Sequence, residues 1–83
     1  MGPKEAIGAA KTYFAELFAE APTLEEVWFD DMDHAWCVTL GRAQTMSIGM
    51  LSPRLFKDYK VVRINDTTGK LISIKNRDGE RAP

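Results

Sequence analysis

The chain has a single cysteine, Cys37, so no disulfide can close within it and no cysteine cage can hold zinc. Histidine is equally scarce: His34 stands alone. No segment approaches the roughly 18–20 consecutive apolar residues of a membrane span. The opening Met1-Gly2-Pro3-Lys4-Glu5 lacks the apolar stretch of a secretory leader, and Pro3, Lys4 and Ala6 do not suit acylation of Gly2. Excess positive charge is missing as well. Eleven Lys and Arg face twelve Asp and Glu, for a net charge of −1, a poor match for a surface that must displace counterions from nucleic acid. Gly41, Gly49 and Gly69 build no phosphate loop, since no Gly-Lys-Ser/Thr follows them. Ser47, Ser52 and Ser73 have no nucleophile-elbow or triad context. These absences set the expectation of a cytoplasmic, non-enzymatic protein with no cofactor, no nucleic-acid partner and no membrane contact.

What is present is a foldable composition. The 83 residues are 45% hydrophobic and 28% charged, which fits one small domain spanning residues 1–83. A domain this short buries only about 60–65% of its unfolded surface, leaving little room for a deep cleft.

Residues 3–21 have the spacing of an amphipathic helix. Pro3 suits the first helical position, Glu5 complements the positive end, and Ile7, Ala10, Phe14, Leu17, Phe18 and Ala21 line one face. Pro22 forces a stop at Ala21. From residue 24 the period changes to two, predicting strands over about 24–30, 35–41, 58–65 and 70–76. Asp30 to His34 forms a polar turn, and Asn65 to Lys70 a hairpin loop in which Gly69 is free to take positive φ. Residues 43–57 look like an irregular apolar insert, and residues 77–83 like a frayed tail. The expected architecture is α+β: an N-terminal helix packed on a four-stranded antiparallel sheet, in the order α-β-β-β-β. The expected core is Ile7, Phe14, Leu17, Phe18, Val27, Phe29, Trp36, Val38, Leu40, Val62, Ile64, Ile72 and Ile74.

Set in that order, several short stretches resemble PepSY-type small domains of the cystatin-like α+β kind. They are Ala6-Ile7-Gly8-Ala9-Ala10 in the helix, Glu26-Val27-Trp28-Phe29-Asp30, and Tyr59-Lys60-Val61-Val62-Arg63-Ile64-Asn65 leading into Thr68-Gly69-Lys70-Leu71. Asn65 stands where that family commonly carries an aspartate before its Thr-Gly turn. The resemblance covers roughly residues 4–76 and implies binding or inhibition of another protein. The chain departs from the family in lacking an export signal and in carrying the apolar insert.

The candidate sites follow from the face the helix leaves bare. Alternation places Trp28, Cys37, Thr39, Tyr59, Val61, Arg63 and Leu71 there. Trp28, Tyr59, Val61 and Arg63 are the residue types that anchor protein interfaces. Met46, Met50, Leu51 and Phe56 of the insert join them as a Met-rich docking loop, or else complete a thin core. The expected partner is a larger protein or a second copy, as in a homodimer. The alternative is a small-ligand or metal-binding module, using the space between helix and sheet or the acidic turn with Asp31, Asp33 and His34. Charge adds one more signal. Residues 1–53 hold 3 bases and 8 acids, and residues 54–83 hold 8 bases and 4 acids. Either these halves pair across the sheet or they leave a bipolar surface.

Overall fold

A computed structural model describes residues 1–46 and 54–77, with side chains described for 1–42 and 58–77. The elements are α1 (Pro3–Phe18), β1 (Thr23–Asp30), β2 (Ala35–Met46), β3 (Arg54–Asn65) and β4 (Leu71–Asn76). The strands form one antiparallel sheet in the order β1-β2-β3-β4, with α1 laid on one face. The α+β architecture expected from the sequence is thus the one observed.

Helix α1 begins as its sequence dictates. Pro3 fills the first turn, and the Gly2 N–H donates to Glu5 Oε1 at 2.9 Å, satisfying one of the donors a helix start leaves open. The helix ends three residues earlier than Pro22 alone suggests. Ala19 takes a left-handed conformation (φ 56°) and its N–H closes on the Ala15 carbonyl, so the chain turns before the proline restriction is reached.

Ala6, Ala10 and Phe14, one turn apart, are fully buried against Val38, Leu40, Val62 and Ile64 of the two central strands. Ile7, Ala9, Tyr13, Phe18, Val27, Trp36, Leu71 and Ile74 complete this layer. Small alanines let the helix backbone approach the sheet closely, and Phe14 fills the wider end. Phe18 packs on Phe14, with ring centroids 4.7 Å apart, and lies beneath the guanidinium of Arg42 at 4.6 Å. Leu17, expected in the core, is instead 62% exposed. It shares the helical stripe by angle, but it belongs to the last turn, where Phe18 holds the position against the sheet.

A second core expectation fails for a different reason. Arg63 pairs with Ser73 but Ile64 pairs with Leu71, so Ile72 is the extra residue of a β-bulge. The bulge turns Leu71 toward the helix and leaves Ile72 48% exposed. Leu71 therefore does not belong to the bare face, nor Ile72 to the core. A matching bulge at Glu25 interrupts β1.

The apolar insert is also corrected. Its residues 43–46 and 54–57 are strand, continuing the β2–β3 ladder without a break from Ala35↔Asn65 to Met46↔Arg54. Gly41 reads in sequence as a strand end, yet it lies inside β2. A Cβ there would stand 3.3 Å from the Tyr59 ring and 3.0 Å from Glu25 Oε2, so glycine serves a close approach within the strand.

Candidate functional site

Two turns at one end of the sheet organise the face opposite α1. In the first, Asp30 Oδ1 accepts the Met32 N–H at 3.0 Å, and His34 adopts a left-handed conformation (φ 50°). In the second, Asn65 Oδ1 accepts the N–H groups of Thr67 and Thr68 at 2.8 and 2.9 Å, and Gly69 has φ 72°. Asn65 thus caps this turn through its side-chain oxygen. The Asp66 N–H donates to the His34 carbonyl at 2.9 Å, which locks the two turns together. Asp66 Oδ1 also accepts the Trp36 indole N–H at 2.8 Å. That bond, reinforced by the nearby amino terminus, holds the Asp66 carboxyl below its ordinary pKa.

Register sets the rows of the helix-free face. Trp28 stands beside Cys37, Cys37 beside Arg63, and Arg63 beside Ser73. Next along, Glu26, Thr39, Val61 and Lys75 form a parallel row. Trp28 is 42% exposed, and Tyr59, Val61 and Arg63 are half-buried. These four expected site residues therefore do share one face. Met46 and Phe56 lie in β2 and β3, with side chains outside the described residues; Met50 and Leu51 lie outside the described residues altogether.

The face is not a bare apolar surface. Arg63 reaches across β2: its Nη2 meets Asp30 Oδ2 at 3.0 Å and Asp33 Oδ2 at 2.8 Å, and its Nη1 donates to Cys37 Sγ at 3.1 Å. This contact, with the turn N–H groups, holds the Asp30 carboxyl below its ordinary pKa and pushes the Arg63 guanidinium up. Burial pushes the Cys37 thiol up, only partly opposed by Arg63.

At the other end, Arg77 donates its backbone N–H to the Tyr59 carbonyl at 3.2 Å, passes over the Tyr59 ring at 5.8 Å, and meets Glu26 Oε1 at 2.9 Å. Arg77, just past the end of β4, is thus packed back onto the sheet face, where the sequence reading places the start of a frayed tail; residues 78–83 lie outside the described residues. The sequence hid this strap because Glu26 and Arg77 belong to opposite edges of the sheet. Beneath this layer Thr39 is fully buried, and among the described residues its Oγ1 has no hydrogen-bond partner.

The acidic turn does not gather into a metal centre. Asp33 answers Arg63, while Asp31 and His34 are exposed, and among the described residues no group of three or more His, Cys, Asp or Glu could hold an ion. Among the same residues no helix is long and apolar enough to cross a membrane. The charge halves pair in part, since Arg63–Asp30, Arg63–Asp33 and Arg77–Glu26 each join an early acid to a late base. No family model, no curated protein and no solved structure matches the chain.

Proposed function

We propose that this chain is a small non-catalytic protein-interaction module of the cytoplasm, inhibitory or accessory to a larger protein, that docks through its helix-free sheet face. The observation that carries this reading is Trp28. A large aromatic ring, 42% exposed, sits on strand β1 on the same face as Arg63, whose guanidinium two carboxylates hold. Trp, Tyr and Arg are enriched among interface anchors; Trp and Tyr bring large contact area at little loss of conformational freedom, and Arg63 is already held by its carboxylates. Trp28, Tyr59, Val61 and Arg63 supply that set on one face, and the sequence offers Met46, Met50, Leu51 and Phe56 as further contacts. The resemblance to PepSY-type domains points the same way.

The test is Trp28→Ala, read by capture of partners from the native cell and by solution mass in parallel. Loss of a central anchor weakens association on the order of 30-fold or more, equivalent to about 2 kcal/mol. The melting temperature changes little, because the ring is not in the core layer. Unaltered association by a folded variant would sink the reading.

A further inference from the structure

The two edges of the sheet carry opposite charge. Residues 23–33, which include β1 and the start of its turn, hold five acids and no Lys or Arg. Residues 67–77, which include β4, hold Lys70, Lys75 and Arg77 and no acid. β1 and β4 are the outer strands, so each presents one side of its backbone to no strand within the described sheet. Exposed apolar side chains accompany both: Leu24, Trp28 and Met32 on the acidic side, Ile72 on the basic side.

We propose that these edges are complementary docking strands, and that the β4 edge of one copy of this chain pairs with the β1 edge of another. Direction permits it. The strands alternate antiparallel across the sheet, so β1 and β4 run oppositely, and a translated second copy continues the same antiparallel order with its helix on the same side. Charge selects it. A symmetric β1–β1 pair centred on Trp28 brings Glu25 and Asp31 of the two copies together on both sides, and a β4–β4 pair that faces Lys70 with Lys75 sets lysines against lysines; both are penalised. The unlike pairing places Lys70 and Lys75 along the exposed Glu25 and Asp31 instead. The bulges at Glu25 and Ile72 limit regular pairing to Glu26–Asp30 and Ser73–Asn76, which keeps the contact short and reversible. Because the contact joins different surfaces and need not close, it generates a series of sizes rather than a fixed dimer.

This inference concerns strand edges and stands independently of the docking face. Sedimentation equilibrium of the whole chain tests it at about 0.01 M and about 1 M ionic strength, where screening lengths are about 30 and 3 Å. The expected result at low salt is a mass that climbs with concentration to about twice the 9.3 kDa monomer and beyond, and that returns to monomer at high salt. Two variants then separate the edges: Lys70→Glu/Lys75→Glu reverses β4, and Glu25→Lys/Asp31→Lys reverses the β1 side. All four positions are exposed, so the core is untouched. Each variant alone is expected to stay monomeric, and their equimolar mixture to associate again. A wild-type mass fixed at monomer or halting at dimer at low salt, an association that survives Lys70→Glu/Lys75→Glu, or a mixture that stays monomeric would overturn the proposal. The wild-type salt dependence needs no variant to fold. Tyr59→Ala, on the central strand β3 and outside both paired edges, addresses the face reading separately, so failure of one leaves the other standing.

Discussion

Replacing Thr39 by valine should stabilise this protein. Thr39 is fully buried in the central strand β2, and among the described residues its Oγ1 has no hydrogen-bond partner. Burying a hydroxyl without a partner costs about 1–3 kcal/mol on the scale of protein mutational data. Valine keeps the branched shape and the strand preference of threonine while replacing that hydroxyl with a methyl group, which itself favours burial by about 0.8 kcal/mol. Slightly tighter packing around the larger methyl works against this gain. The net expectation is a stabilisation of about 1–2 kcal/mol. For a domain of this size that is a rise in Tm of roughly 5–10 °C. Urea denaturation should show a higher midpoint with an unchanged slope, the signature of altered stability without altered compactness. Thr39→Ser provides the control, because it retains the orphan hydroxyl and loses the methyl; it should fall below wild type by about 1 kcal/mol. The order Val above Thr above Ser is the prediction. A valine variant less stable than wild type by about 1 kcal/mol, at unchanged slope, would refute the reasoning and show that the hydroxyl has a partner in solution.

Two other predictions come from the helix and the first turn. Phe14→Ala should cost about 3–5 kcal/mol in thermal or urea unfolding, whereas Leu17→Ala, two-thirds exposed on the same stripe, should cost well under 1 kcal/mol; comparable losses would mean that the helix's last turn is packed. Asp30→Asn should remove a pH-dependent part of the stability. The folded carboxyl titrates below its unfolded value of about 3.9, so its contribution is complete above that pH and disappears as pH falls through the lowered folded value. The Tm gap between wild type and Asp30→Asn should therefore be constant near neutrality and close below about pH 4, and a gap independent of pH down to acid unfolding would contradict the role given to Arg63.

Much of the fold was legible because local chemistry and global packing agree. Proline at the helix start, the change of period after residue 24 and the Asn65–Gly69 turn each reflect interactions within a few residues, and each appears where the pattern places it. The misreadings share a physical cause. Gly41 looked like a strand end because a glycine signals a break unless a distant ring, here Tyr59, needs the space. Ile72 looked buried because strict alternation holds only where no bulge adds a residue. Leu17 looked buried because it shares the stripe by angle, but in the last turn Phe18 takes the place against the sheet.

The candidate site divides the same way. Alternation placed Trp28, Tyr59, Val61 and Arg63 on the bare face, since side chains two apart on a strand must share a side. The sequence by itself also determined the acidic first half and the basic second half. Only the tertiary structure decided what that segregation does. It brought Arg63 onto Asp30 and Asp33, carried Arg77 across to Glu26, and put the remaining charge on opposite edges of one sheet. Those pairings join residues 30 to 51 positions apart in the chain, and their partners are fixed by strand order and register, which no local pattern encodes.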